Sequence, residues 1–162
     1  MTPERKDRLM GEILVSEGFL TEMQVEEILA EQRHNRKPFG LLANMMCGVP
    51  EEEIWKAYAH QMAEYVEEID LVCEVRDPRV ADILTVREAW SHLMMPLRID
   101  GDALIVATSR GRLADAMAYA HGRFNMYVHF VYADRIQLEQ YIMEHYVKTR
   151  DKSVRGLEAA AQ

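Results

Sequence analysis

The first part of the chain repeats itself at an offset of 29 residues. Residues 9–32 align without a gap with residues 38–61, and the identical pairs include Gly11 with Gly40, Ala30 with Ala59, and Gln32 with Gln61. In each copy, apolar residues recur at helical spacing on both sides of a glycine-containing turn. Each copy therefore predicts a helix, a turn and a second helix. Two such helical hairpins are expected to pack as a small four-helix bundle.

Capping and breaking residues place the four helices. Gly18 interrupts the first, and Thr21 forms a capping box with Gln24 that starts the second. Gly48 stops the short third helix. Pro50 opens the fourth, and the three glutamates that follow it favour the positive end of the helix dipole.

The second half of the chain mixes strands and helices. Alternation and β-rich composition predict strands at 95–99, 103–107 and 127–132, and a loose alternation predicts one within 65–75. Capping signals and apolar spacing predict helices over 78–84, 85–93, 113–122 and 134–147. The expected fold class is therefore α+β.

This pattern predicts two subdomains. The helical repeats occupy 1–61, and 62–147 forms an α+β sandwich whose helices cover one face of a small sheet. Residues 148–162 contain few large apolar side chains, which is typical of a flexible tail.

Composition and charge exclude several classes of protein. The net charge of -8 lacks the basic footprint that a nucleic-acid binder uses on phosphates. No apolar run is long enough to insert into a membrane, and the polar N-terminus is unlike a signal peptide. The two cysteines, Cys47 and Cys73, have no metal-ligand or CxxC spacing, so we expect reduced, buried or half-buried thiols in a cytoplasmic protein.

Catalytic motifs are absent from the sequence. It contains no P-loop, no GxGxxG, no GxSxG and no histidine pair at zinc spacing, so we expect no catalytic residue, no metal site and no cofactor. The turn at 108–112 follows a strand and precedes a helix, and two readings remain open for it: an anion site or a polar connecting loop. With no catalytic constellation, the chain is not expected to be an enzyme.

The repeat also carries a recognisable motif. Its first copy has a glycine at 11, an apolar pair at Ile13 and Leu14, a second glycine at 18, and a helix that ends in Leu29-x-x-Gln32. The chain over roughly 8–147 resembles the N-terminal domain of type II secretion and type IV pilus assembly ATPases, also called the MshE N-terminal type. That family uses the motif twice, each time led by Arg-Leu-Gly, with the same spacing between copies.

The resemblance implies two functions. The first is a non-catalytic module that docks a partner protein, such as an inner-membrane component of a secretion or pilus system or an effector. The second is a receptor for cyclic di-GMP, with one motif for each guanine half. The positions carried over for this ligand, with the two basic neighbours, are Arg8, Leu9, Gly11, Gly18, Gln32, Lys37, Pro38, Gly40 and Gln61.

Departures from the family motif favour docking over ligand binding. Leu9 and Pro38 stand where the family has arginine, and Arg8 and Lys37 lie one residue earlier. A shift of one residue turns a helical side chain by about 100°. In the second copy Cys47 occupies the inner glycine position, with the glycine slipped by one. Losing planar, bidentate arginine donors lowers the expected affinity for a guanine or a phosphate.

The docking surface expected from the sequence is an apolar and basic strip. It comprises Arg33, Arg36, Lys37, Phe39, Met45 and Met46. The alternative is that Phe39 and Met46 close the core of the helical bundle instead.

Overall fold

The first of two structural units, Met1–Tyr65, is helical in this computed structural model. The structure describes the backbone of residues 3–146 and the side chains of residue 7 and residues 9–146. Within this part of the chain the unit has four α-helices, namely α1 (Pro3–Ser16), α2 (Glu22–Asn35), α3 (Phe39–Cys47) and α4 (Glu51–Met62). The predicted pair of helical hairpins is confirmed.

Local signals explain where these helices begin. The Gln24 amide donates to the Thr21 hydroxyl at 3.2 Å, and the Thr21 amide donates to the Gln24 side-chain oxygen at 2.9 Å. This reciprocal capping box satisfies two backbone donors at the start of α2. The unit extends slightly past the expected boundary at 61 because α4 continues directly into a 3-10 turn at Ala63–Tyr65.

The second unit, Val66–Gln162, contains a three-stranded sheet. Its strands are β1 (Met94–Asp100), β2 (Ala103–Thr108) and β3 (Tyr127–Tyr132), in the order β1-β2-β3. β1 and β2 are antiparallel, whereas β2 and β3 are parallel. The helices are α5 (Val86–His92), α6 (Leu113–Arg123) and α7, whose described part spans 135–146. The predicted α+β fold is confirmed, while the tail at 148–162 lies outside the described residues.

Helices cover both faces of this sheet, so the expectation of one covered face is wrong. Leu104 and Val106 pack with α6, while Ile105 and Ala107 pack with α7. Alternate residues of a strand point to opposite faces, so β2 is buried on both sides. A parallel pair needs a crossover helix between its strands, which places α6 on one face, and α7 follows β3 and covers the other.

Two other predicted elements are shorter than expected. Over 78–84 only a 3-10 turn at Pro78–Val80 forms. The Asp77 carboxylate accepts a hydrogen bond from the Arg79 amide at 2.9 Å, and the Arg79 guanidinium donates one to the Ile99 carbonyl at 3.1 Å. These bonds tie the segment to the edge of β1 instead of continuing a helix. Over 65–75 the strand reduces to one parallel bridge between Glu68 and Tyr132.

A charge network fastens α5 to α6. Arg123 Nε donates to Glu88 Oε1 at 2.7 Å, and the Tyr119 hydroxyl donates to the same oxygen. The Arg123 guanidinium first, and then the Tyr119 hydroxyl and the Thr85 amide, lower the pKa of Glu88 to about 2. A carboxyl whose pKa falls on folding stabilises the fold above its ordinary pKa, and this stabilisation is lost as the pH falls toward the folded value.

Glu88→Gln should therefore destabilise the second unit at neutral pH, with a deficit that shrinks as the pH falls from about 5 to about 3. Thermal unfolding of wild type and variant across this range measures the deficit. Glu144→Gln, at an exposed position of α7, is the matched control and should change little. An equal deficit for Glu88→Gln at every pH would contradict the proposed role of the charge.

Candidate functional site

The two repeats meet through their motif glycines. A Cβ at Gly11 would lie 2.7 Å from Val25 Cγ1 and 3.2 Å from Phe39 Cζ. A Cβ at Gly40 would lie 2.6 Å from Ile54 Cγ2, with Met10 also in contact. Each glycine thus packs against the second helix of its own repeat and the first helix of the other.

This reciprocal packing gives the motif glycines a structural role. Gly11 lies inside α1 and Gly40 is the second residue of α3, and both are buried. Backbone amides inside a helix donate to carbonyls of the preceding turn. The hydroxyl of Tyr58 accepts a hydrogen bond from the Gly40 amide. The absence of a side chain at both positions allows the helices to approach closely.

The motif glutamines also make internal contacts. Gln32 Nε2 donates to the Lys37 carbonyl at 3.1 Å and also donates to the Asp7 carboxylate. Burial raises the pKa of Asp7, and the hydrogen bond from Gln32 acts in the opposite direction. Because Lys37 lies in the connection between the repeats, the hydrogen bond from Gln32 holds that connection in place. Gln61, the equivalent residue in the second copy, is also buried, with only 8% of its surface exposed.

The two turns of the hairpins are equivalent despite the slipped glycine. Gly18 and Gly48 both adopt left-handed backbone conformations, with φ of 82° and 69°. The Leu20 amide donates a hydrogen bond to the Leu14 carbonyl at 3.3 Å. The equivalent Val49 amide donates to the Ala43 carbonyl at the same distance. The one-residue slip is thus absorbed within the turn, and the register of the repeat is restored at Val49.

The positions that replace the family arginines lie at the starts of the two motifs. Leu9 is half-buried in α1, and Pro38 is the exposed N-cap of α3. Lys37 is exposed, whereas the side chain of Arg8 lies outside the described residues. The structure therefore does not test a compensating role for Arg8, which stays a prediction.

The strip predicted for docking is only partly exposed. Phe39 is fully buried, with 0% of its surface exposed, because its ring fills the space that Gly11 leaves between the repeats. Phe39 therefore cannot belong to an exposed strip, and that assignment is wrong. Met45 and Met46 are 60% and 45% exposed, and Arg33, Arg36 and Lys37 are also exposed.

One exposed apolar residue was missed. Leu41 is 47% exposed and lies four residues before Met45, so both project from one face of α3. The repeat contained the signal, since Leu41 aligns with Glu12 of the first copy. Met45 and Met46 likewise align with polar residues, Ser16 and Glu17.

We call Leu41, Met45 and Met46 the α3 patch. All three positions are polar in the first copy of the repeat, so the hairpin architecture does not require apolar side chains there. The core of the unit is built from other residues, including Leu42 and Ala43 of the same helix. The α3 patch is thus apolar surface left over after the fold is complete, which is typical of an interaction site.

In the second unit, protein contacts occupy the turn at 108–112. Arg110 pairs with Glu68 at 3.0 Å, and Arg112 pairs with Asp115 at 2.8 Å. Arg112 also donates to the Ser91 carbonyl at 2.7 Å. Of the two readings of this turn, these contacts favour a connecting loop over an anion site.

Other chemistry is sparse in the described part of the chain. Across residues 3–146, no group of histidine, cysteine and carboxylate side chains is arranged to hold a metal ion. The same residues include no helix that is both long and apolar enough to cross a membrane. Cys47 is half-buried, and burial raises the pKa of its thiol, whereas Cys73 is exposed, contrary to expectation, because it ends a surface 3-10 turn.

Comparison with known proteins places the chain in a family. The sequence model of the MshEN domain matches residues 65–152, which lie almost entirely in the second unit. The type IV pilus assembly ATPase PilB of Thermus thermophilus is 30% identical over 117 residues. The match covers 70% of this chain, which spans only 13% of the length of that ATPase.

Two solved structures are also similar. The one described as "Structure of MshE with cdg" is 24% identical, with a TM-score of 0.46, and the match covers 85% of this chain and 98% of that one. The N-terminal domain of XpsE is 12% identical, with a TM-score of 0.45, over 85% of this chain and 94% of that one. The family match covers more than half of the sequence, and the chain belongs to the MshEN domain family, the N-terminal domains of type II secretion and type IV pilus assembly ATPases.

Proposed function

We propose that the first unit is a non-catalytic regulatory module that docks a partner protein through the α3 patch. The observation that carries this proposal is the exposure of three apolar side chains at positions where the first repeat is polar. Methionine side chains are flexible and polarizable, so they adapt to the shape of a partner. Burying three such side chains supplies a hydrophobic driving force for association.

Charge near the α3 patch narrows the chemistry of the partner. Arg36 and Lys37 are exposed just before α3 begins. An apolar surface flanked by acidic residues would complement both features. The family resemblance implies that this partner would be a cytoplasmic part of an inner-membrane pilus or secretion component.

Charged substitutions in the α3 patch test this proposal. Leu41→Glu and Met45→Glu should each weaken binding to the purified cytoplasmic part of that component by roughly tenfold, because each places a charge in an apolar contact. Calorimetric titration measures the affinity. Met143→Glu is the matched control, since Met143 is an exposed methionine of the second unit, and it should leave the affinity within about twofold.

Charge reversal at Arg36 and Lys37 should weaken the same complex by about threefold and reduce its dependence on salt. Unchanged affinity in Leu41→Glu and Met45→Glu, with both variants folded, would overturn the α3 patch as the docking site. Loss of binding in Met143→Glu alone would place the partner on the second unit instead.

A second candidate function is binding of cyclic di-GMP. The repeat favours it, because two copies of the motif on two equivalent helical hairpins suit a ligand with two equal halves. The structure described as MshE with cdg makes this ligand a reasonable choice for the test. Leu9 and Pro38 oppose it, since neither supplies a cationic donor.

Titration with cyclic di-GMP, with GTP as the control, separates the two functions. The docking proposal predicts no heat and no thermal shift at millimolar ligand. Micromolar binding that is lost when Arg8 and Lys37 are both replaced by alanine would instead make the repeats a ligand receptor with a shifted motif.

A further inference from the structure

A groove lies between α1 and α2 of the first unit. Val25 is buried and Val15 is half-buried, so together they form its floor, while Met23 lines it with 73% of its surface exposed. An open apolar groove between two helices can receive the apolar face of a third helix. This groove shares no residue with the α3 patch.

Carboxylates dominate the polar lining of this groove. Glu12 and Glu22 are exposed along it, Glu26 lines it as well, and no lysine or arginine is found among its described lining residues. The surrounding sequence adds to the negative field, since residues 1–61 hold eleven acidic and seven basic residues. A cationic partner would therefore be attracted to it and an anionic partner repelled.

Two of the three carboxylates that line the groove are specific to this copy of the repeat. In the second copy, the positions of Glu12 and Glu26 are occupied by Leu41 and Trp55. Only Glu22 has an acidic equivalent, Glu51. The carboxylates of Glu12 and Glu26 are thus not required by the hairpin architecture that the two copies share, whereas Glu22 occupies a first-turn position that is acidic in both.

We propose that the groove between α1 and α2 docks a basic amphipathic helix of a partner protein. Apolar side chains of that helix, spaced three and four residues apart, pack on Val15, Met23 and Val25. Its lysines or arginines lay their apolar stems along the groove and bring their charges to Glu12 and Glu22. This goes beyond the proposed function, because it is a second contact of opposite charge that does not depend on the α3 patch.

A synthetic peptide tests the proposal with the full chain. A helix of about 15 residues, with leucines on one face and lysines elsewhere, is the probe, and the same peptide with glutamates in place of the lysines is its control. Fluorescence anisotropy should show binding of the lysine peptide that weakens with added salt, and no binding of the glutamate peptide. Equal binding of both peptides, or of neither, would overturn the proposal.

Matched variants test the location of the contact. Glu12→Lys combined with Glu22→Lys should weaken binding of the lysine peptide by about tenfold, and Glu22→Gln alone by about threefold. Glu51→Lys, the repeat-equivalent change in the first turn of α4, should stay within about twofold. Circular dichroism confirms that each variant is folded. Equal weakening by Glu51→Lys would show that overall charge, not the groove, attracts the peptide.

Two further readouts fix the site and its occupant. In spectra of the chain with labelled methionine methyl groups, the peptide should shift the Met23 signal and leave Met45 in place. A shift of Met45 without Met23 would overturn the groove as the site. Sedimentation of the chain alone should show no association through this surface, and self-association abolished by Glu22→Lys would make the occupant a second copy, contrary to the proposal.

Discussion

Replacing Phe39 with alanine should lower the free energy of unfolding of the first unit by about 3–5 kcal/mol. Phe39 is fully buried at the start of α3, and its ring faces Gly11 of the other repeat. Deleting a buried aromatic ring loses its transfer free energy and leaves a cavity that the neighbouring helices only partly refill. The expected loss is large for a unit of this size.

Chemical denaturation followed by circular dichroism measures this loss. Met46→Ala is the matched control, because Met46 lies in the same helix but is half exposed, and its change should stay within about 0.5 kcal/mol. A small loss for Phe39→Ala, similar to that of the control, would mean that Phe39 does not join the two repeats.

Gly40→Ala should destabilise the first unit by about 1–3 kcal/mol, although alanine favours a helix more than glycine does. The added Cβ would lie 2.6 Å from Ile54 Cγ2, and a β-branched side chain has little freedom to move away. Overpacking therefore outweighs the gain of up to about 1 kcal/mol in helix propensity.

The control for this substitution is Gly122→Ala in α6. A Cβ at Gly122 meets nothing within 4 Å, so the change should be neutral or stabilising. Combining Gly40→Ala with Ile54→Ala removes the clashing atom, so the double variant should be more stable than the sum of the single effects predicts. A stabilising Gly40→Ala would contradict the close packing of the repeats.

The sequence was most informative where short-range chemistry decides the structure. The capping boxes at Thr21 and Thr85 form as expected, because each needs only residues three positions apart. The hairpin around Gly101, with φ of 61°, forms for a similar reason. Repeat periodicity correctly predicted four helices in the first unit.

Errors arose where distant contacts decide. Phe39 follows basic and polar residues, so the sequence does not show that its ring enters the space left by Gly11. The short segment after Asp77 carries a helix-start signal, but hydrogen bonds to Ile99 of β1 hold it in a single turn. Both outcomes depend on residues far apart in the chain, and local pattern does not reveal them.

Family membership and binding chemistry rest on different parts of the molecule. The MshEN match covers 65–152, whereas both proposed contacts lie in the first unit, outside the matched residues. The helical repeats can therefore differ in binding chemistry while the second unit keeps its family character. The α3 patch is an example of such divergence, because its three apolar residues stand where the first copy of the repeat has polar residues.

The most direct test of docking through α3 is to identify which methionines the partner contacts. The full chain with labelled methionine methyl groups is titrated with the purified cytoplasmic part of the inner-membrane component. Docking through the α3 patch predicts that the signals of Met45 and Met46 shift while that of Met143, exposed on the second unit, stays in place. Binding that leaves Met45 and Met46 unshifted would contradict this function for the α3 patch.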